Sequence, residues 1–129
     1  MRITSTPLLL ATLLVAAALP AAAETWSYHL RSGELAFAQG AWEEAERQLV
    51  KALQIAEARG TPDQVDATLA TLMRFHENRS HLEQTRRLGE RLLELRSRRP
   101  GAEAPELLEV LAALARVNGA LEQRAAQAG

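Results

Sequence analysis

The feature that most constrains this chain is an internal repeat with a spacing of about 40 residues. Gly40, Ser80 and Gly119 lie 40 and then 39 positions apart. Each of these small residues is followed two positions later by a large apolar one, and the large residues are Trp42, Leu82 and Leu121. A repeat of this length predicts a unit of two helices joined by a tight turn, because one such unit cannot bury its apolar face without a neighbour.

Apolar residues also recur at helical spacing inside the first unit. Between residues 42 and 58 they are separated mostly by three or four positions, which places them on one face of a helix. Aromatic residues make up only 4% of the chain, and no run alternates β-branched with polar residues as a strand would. The sequence therefore predicts an all-α fold. The expected helices lie near 25–39, 42–59, 62–78, 81–98 and 103–118, with a short sixth helix from residue 120.

The breaks between these segments are typical of helix ends. Gly60 can end one helix, Thr61 can cap the next, and Pro62 suits its first position. Pro105 marks the start of the last long helix in the same way. These signals predict short loops between neighbouring helices.

Residues 1–23 are typical of a secretory signal peptide. One positive charge precedes an apolar run over 8–19, and Ala21 and Ala23 fit the small-residue rule, which predicts cleavage before Glu24. This run is shorter than the roughly 20 residues that span a bilayer, although an uncleaved anchor is the alternative. With its arginine-rich and alanine-rich composition, the chain is expected to be a periplasmic or secreted bacterial protein with no stable membrane insertion after cleavage.

Charge and cysteine content exclude several classes of function. The chain has 15 Lys+Arg, 16 Asp+Glu and a net charge of -1, which becomes -2 when Arg2 is removed with the leader. Such a balance gives no electrostatic footprint for nucleic acid. The absence of cysteine excludes disulfides, thiol catalysis and cysteine-bound metals.

The segment from Trp26 to Leu53 resembles a tetratricopeptide repeat. The residues that carry the resemblance are Gly33, Ala36, Gly40, Trp42, Ala45, Leu49, Ala52 and Leu53. Because the spacing exceeds the usual 34 residues, it is similar to the longer variety found in kinesin light chains and many bacterial repeat proteins. The resemblance implies an α-solenoid, a right-handed superhelical stack of antiparallel helix pairs with five to six helices, in repeats of about 26–60, 62–99 and an incomplete 103–129.

The second repeat departs from this pattern. Met73 and His76 replace Gly33 and Ala36, and Thr85 and Gly89 stand where the first repeat has Ala45 and Leu49. A glycine inside a helix costs about 1 kcal/mol relative to alanine. We therefore expect the second pair to be looser or bent.

No constellation typical of catalysis is present, and we predict no enzyme activity, cofactor or metal site. His76 and His81 are five positions apart across a predicted turn, so they do not share a helical face as two zinc ligands would. Packing is the expected role of His76, and capping or solvent exposure that of His81. The one basic concentration is interpreted as a solvated helix face in which Arg87 and Arg91 each pair with Glu90 or Glu94 three positions away, and the alternative is an anion or lipid site. Its members are Arg86, Arg87, Arg91, Arg96, Arg98 and Arg99.

The resemblance implies a binding groove on the first helix of each pair. Its positions carried onto this chain are Leu30, Glu34, Phe37, Arg74, Glu77, Asn78, Glu109, Ala113 and Arg116. This mixture would suit a peptide of mixed polarity, whereas the alternative is that these residues are simply solvated.

A second candidate surface is the last long helix. Its apolar residues occupy more than one helical stripe, so part of them would stay uncovered after packing, and such patches mark partner or self-association surfaces. They are Leu107, Leu108, Val110, Leu111, Leu114, Val117 and Leu121. The leading hypothesis is thus an adaptor or scaffold that binds a protein or peptide partner on its concave face. The alternative is a self-associating structural subunit of an envelope assembly, a homo-oligomer through this helix.

Overall fold

The computed structural model describes residues 18–102 and 104–129. These residues form five helices and no strand, which confirms the all-α class. The helices are α1 (Ala18–Ala38), α2 (Trp42–Arg59), α3 (Pro62–Asn78), α4 (Leu82–Ser97) and α5 (Ala104–Ala128). None of them is long and apolar enough to cross a membrane, within the described part of the chain.

Local capping explains why α3 begins where the sequence predicts. The hydroxyl of Thr61 accepts a hydrogen bond from the N–H of Gln64 at 3.3 Å, and the amide oxygen of Gln64 accepts one from the N–H of Thr61 at 3.1 Å. This capping box satisfies two N–H groups that the helix itself leaves unpaired. Pro62 occupies the first turn, as expected.

The turn after α1 and the turn after α3 have the same geometry. Gly40 and Ser80 both adopt positive φ, at 73° and 57°. The N–H of Ala41 donates to the carbonyl oxygen of Ala36 at 2.8 Å, and the N–H of His81 donates to that of His76 at 2.9 Å. Both are the six-to-one bond of a helix end closed by a left-handed residue. The 40-residue offset in the sequence is therefore repeated in the backbone.

Consecutive helices contact one another, and α1 also contacts α3. Because short connections join them, neighbouring helices run antiparallel. The core forms two clusters. The N-terminal cluster contains Ala36, Ala45, Leu49, Leu72 and Phe75. The C-terminal cluster contains Leu69, Met73, Leu92, Val110, Ala113 and Leu114. Leu53 and Leu88 pack against both clusters, which joins them into one core.

Glycines set the approach of the helices in both pairs. A Cβ on Gly33 would lie 2.6 Å from Leu49 Cδ2, so α1 and α2 meet at this residue. A Cβ on Gly89 would lie 2.7 Å from Leu114 Cδ2 and 3.4 Å from the Met73 sulfur. Gly89 lies inside an uninterrupted α4, where it provides room for side chains from α3 and α5.

The predicted turn at Gly119 is wrong. α5 continues as one helix to Ala128, so the short sixth helix does not exist as a separate element. The residues after Gly119 are mostly alanine, glutamate, glutamine and arginine, which are strong helix formers, and most of them are exposed. A turn would bring too few apolar side chains back onto α5 to replace the helical hydrogen bonds it breaks.

The chain start also differs from the expected helix at 25–39. The described part of α1 already starts at Ala18, so the helix passes through the predicted cleavage site between Ala23 and Glu24. Three alanines, which are strong helix formers, precede Glu24. Residues 1–17 of the predicted signal peptide lie outside the described residues.

Candidate functional site

The helices α1, α3 and α5 present the nine residues of the predicted groove. We call the surface they form the odd-helix face. Five are exposed on it, namely Glu34, Arg74, Asn78, Glu109 and Arg116. Leu30, Phe37 and Glu77 are half-buried. Ala113 is only 2% exposed and belongs to the C-terminal cluster, so it packs the core and is not available to a partner.

Two of these residues meet directly. The guanidinium of Arg116 donates to Glu77 Oε1 from Nε at 3.0 Å and from Nη2 at 2.9 Å. The side chain of Arg116 is 62% exposed, so solvent screens the pair and its contribution to stability is about 0–1 kcal/mol. The ion pair joins α3 to α5 at the surface, and a charged partner could displace it at little cost.

Arg74 is an exposed cation on the α3 part of this face. It lies one turn before Glu77 on α3 and donates a long hydrogen bond of 3.4 Å to the hydroxyl of Thr71. A guanidinium held by one neutral contact keeps donors for a carboxylate. Arg74 is therefore the residue of this face best suited to bind an acidic group.

An aromatic corner lies beside these charges. Phe37 contacts Phe75 edge-on, with ring centroids 5.5 Å apart, and the Trp42 ring lies 6.0 Å away. The guanidinium of Arg79 stacks on Trp42 at 4.5 Å. Phe75 is buried and holds the aromatic corner in the core. Phe37 and Trp42 are half-buried, so part of each ring stays accessible to a partner. Rigid aromatic groups of this kind anchor protein partners.

No family model, curated protein or solved structure matches this chain. The groove residues therefore remain an expectation that the sequence resemblance implies.

The structure brings His76 and His81 together although they lie on different helices. The turn at Ser80 places their Nδ1 atoms 3.0 Å apart, a hydrogen bond that needs at least one neutral ring. His76 is 7% exposed, and this burial lowers its pKa, opposed by the charge of Glu46 and assisted by His81. His81 is the N-cap residue of α4, as expected, but its side chain makes no cap bond there and contacts His76 instead.

The histidine pair does not extend to a metal site. Among the described residues no group of three or more histidines and carboxylates is arranged to hold a metal ion. The two rings thus act as a packed, hydrogen-bonded pair.

A buried ion pair that the sequence did not reveal ties three helices together. Arg96 donates to both carboxylate oxygens of Asp66, each at 3.0 Å, and to the carbonyl oxygen of Glu106 at 3.0 Å. The two charged side chains are only 13% and 12% exposed. The hydrogen bonds to Asp66 raise the pKa of Arg96, against its desolvation. Arg96 is thus a tether between α3, α4 and the start of α5, and its interpretation as part of a solvated face is wrong.

Four of the other five arginines of this segment are paired with carboxylates. Arg86 contacts Glu83 at 2.8 Å and Glu90 at 3.0 Å, and Arg98 contacts Glu94 at 2.7 Å. Arg91 pairs with Glu57 of α2 instead of the predicted Glu94. Cations that already have carboxylate partners do not form an anion site, which supports the interpretation as a solvated face.

Proposed function

We propose that the protein is a tetratricopeptide-like interaction module that binds an extended segment of a partner protein on its odd-helix face. The proposal includes a right-handed superhelical course of the helix pairs, which makes this face concave. In this role the chain acts as an adaptor or scaffold without chemistry of its own.

The observation that carries the proposal is the repeated hairpin. Because the turns at Gly40 and Ser80 share their geometry, we infer that equivalent positions on α1 and α3 face the same side. Phe37, Glu77 and Arg116 are equivalent in the repeat, and the ion pair of Glu77 with Arg116 joins two of them, which supports a row across α1, α3 and α5. A row of surface positions at regular intervals suits an extended ligand.

The side chains along this face define the ligand chemistry. The aromatic corner at Phe37 suits an apolar anchor residue of the ligand. Arg74, which lies on α3, suits an acidic residue of the ligand. Glu34 on α1 adds a carboxylate for a basic group. We therefore propose a segment that carries an apolar anchor and an acidic residue.

Affinity capture from the envelope of the source organism tests this function. The wild type is compared with Arg74→Glu and with Lys51→Glu, an identical charge change on the exposed face of α2. We expect a partner that the wild type and Lys51→Glu retain and that Arg74→Glu loses by a factor of ten or more. The same partners bound by all three proteins would contradict a role for the odd-helix face.

Export is a separate part of the proposal. We propose cleavage after Ala23 and a periplasmic or secreted location for the product, on the basis of the leader pattern. Intact mass measurement of the protein isolated from the periplasm should give a chain that begins at Glu24. A product that keeps residues 1–23 would contradict cleavage.

A further inference from the structure

One face of α5 is apolar and uncovered. Leu108 is 60% exposed and Leu111 is 45% exposed, and Ala112 and Ala115 beside them are also exposed. The spacings of three, one and three positions place all four on one side of the helix. We call these four residues the α5 stripe. The opposite side of α5 is buried in the core through Val110, Ala113, Leu114 and Val117.

The repeat shows that a helix belongs on this face. The residues 39 positions before the stripe are Leu69, Leu72, Met73 and His76 of α3, which are 0%, 2%, 4% and 7% exposed. α4 covers this side of α3 through the approach of Gly89 to Met73 and the contact of His81 with His76. α4 runs antiparallel to α3. The α5 stripe is the equivalent surface without the antiparallel helix.

The stripe is complementary to itself in an antiparallel arrangement. Leu108 and Ala115 lie at equal distances on either side of the midpoint between Leu111 and Ala112. When two copies of α5 cross at this midpoint, Leu108 of each copy lies level with Ala115 of the other, whereas Leu111 and Ala112 each lie beside their own counterpart across the two-fold axis. The α1–α2 pair uses a similar match of large with small, where Leu49 packs against Gly33.

The charges beside the stripe favour the same arrangement. Glu109 and Arg116 flank it on one side, and both are exposed. A two-fold axis through the midpoint places the charged sides of the two α5 helices along the same edge of the dimer. Glu109 of one copy therefore lies near Arg116 of the other. A parallel two-fold arrangement would instead place Leu108 against Leu108 and would put Glu109 and Arg116 of one copy on the opposite edge of the interface from those of the other. That arrangement would lose the pairing of Glu109 with Arg116 between the copies.

We propose that the α5 stripe is a homodimer interface in which α5 of a second copy packs antiparallel. The pairing is isologous, since the same patch serves on both copies, as two-fold symmetry requires. Each α5 then takes the place on the other copy that α4 takes on α3.

The mass of the protein in solution tests whether a second copy covers the α5 stripe. Static light scattering of the purified protein should give twice the chain mass of 14.1 kDa. Leu108→Glu should return it to one chain, because a carboxylate would face Ala115 of the other copy without a partner. Leu35→Glu is the matched control, since Leu35 is also 60% exposed but lies on α1 at the far end of the stack. It should stay dimeric. Circular dichroism should show unchanged helix content in both variants.

Three results would overturn the proposal: a monomeric wild type, a dimer that survives Leu108→Glu, or a dimer that Leu35→Glu dissociates. A monomer would mean that the stripe serves another protein, and the last result would place the interface on α1.

Cross-linking tests the antiparallel arrangement, and the absence of native cysteine makes each introduced thiol unique. In the proposed dimer the two Ala112 residues lie about 1.5 Å apart along the helix axes, whereas the two Gly119 residues lie about 22 Å apart. Mild oxidation of Ala112→Cys should therefore give a disulfide-linked dimer, and Gly119→Cys should give none. Efficient linkage of Gly119→Cys would overturn the antiparallel arrangement.

Discussion

The two helix pairs, α1–α2 and α3–α4, place a large and a small residue at equivalent positions with the sizes exchanged. In the first pair a glycine on the first helix, Gly33, receives Leu49 from the second. In the second pair Met73 takes the place of Gly33, and Gly89 takes the place of Leu49. The room beside Gly89 receives Leu114 of α5 first, and Met73 is in ordinary contact with it. We infer that a match of large with small is kept between the helices of each pair, whereas the residue at each position is not.

The pairs differ more at the end away from their turns. The second pair holds Asp66 and Arg96 there as a buried ion pair, whereas the equivalent positions of the first pair are Trp26 and Ala56. Trp26 packs towards the neighbouring repeat, where its indole N–H donates to the hydroxyl of Thr68 at 2.8 Å. At this end the first pair is therefore joined to its neighbour by a hydrogen bond, whereas the second pair is held by charge.

The largest effect is expected from truncation of the large residue in the first contact. Leu49 is 0% exposed, so Leu49→Gly removes a whole core side chain. Glycine also disfavours the helix, because it has more backbone entropy to lose on folding. We expect the free energy of unfolding to fall by about 4 kcal/mol, most of it from the cavity. Urea denaturation followed by circular dichroism measures this. Val50→Gly, at an exposed neighbouring position, should cost about 1 kcal/mol, and equal losses in both variants would contradict the assigned role of Leu49.

Removal of one partner of the ion pair in the second repeat should have the next largest effect. Arg96→Ala leaves the largely buried carboxylate of Asp66 without its donors, and we expect a loss of about 2 kcal/mol in the free energy of unfolding. Arg98→Ala, on the exposed side of α4, should change stability by less than about 0.5 kcal/mol. A loss for Arg98→Ala as large as that for Arg96→Ala would contradict the tether.

The histidine pair makes the stability of the second repeat sensitive to pH. Burial lowers the pKa of His76 in the folded protein below that of the unfolded chain, near 6.5. Between these two values the unfolded state binds more protons, so the free energy of unfolding falls as the pH falls below about 6.5. Denaturation at several pH values from 7.5 to 5 should show this slope in the wild type.

The variant His76→Gln identifies the group responsible. This variant should flatten the dependence of the free energy of unfolding on pH. His29→Gln, which changes a half-buried histidine of the first pair, should leave most of that dependence in place. An unchanged slope in His76→Gln would assign the titration to another group.

The smallest effect is expected at the turns. Ser80 adopts φ of 57°, which is unfavourable for a residue with a Cβ, whereas Gly40 provides the same turn without strain. Ser80→Gly should therefore stabilise the protein by about 0.5 kcal/mol, and Gly40→Ser should destabilise it by a similar amount. Thermal unfolding of both variants measures the difference, and a loss of stability in Ser80→Gly would show that the two turns are not equivalent.

The sequence predicted what depends on neighbours along the chain. The bounds of α2 and α3 follow from periodicity and from caps such as Thr61 with Gln64, all of which act within one or two turns. The sequence also predicted that part of the apolar surface of α5 stays uncovered, but it did not predict that Val110, Ala113 and Val117 are the buried residues and Leu108 an exposed one.

Contacts between distant residues were not predictable in the same way. Asp66 and Arg96 are 30 positions apart, and in the sequence Arg96 is one of several arginines on α4. His76 and His81 meet only because the turn at Ser80 folds one helix end onto the next. The turn expected at Gly119 fails because a glycine turn also needs a following helix with enough apolar surface to pack back.

The most direct test is to exchange the large and the small side chain in the first helix pair. Gly33→Met alone should destabilise the protein by about 2 kcal/mol, because the new side chain meets Leu49. The double variant Gly33→Met/Leu49→Gly recreates the arrangement of Met73 with Gly89. A double-mutant cycle in urea should give a favourable coupling of about 2 kcal/mol or more, so that the double variant is no less stable than Leu49→Gly alone. Additive losses would show that the two helix pairs do not form equivalent contacts and would contradict the account.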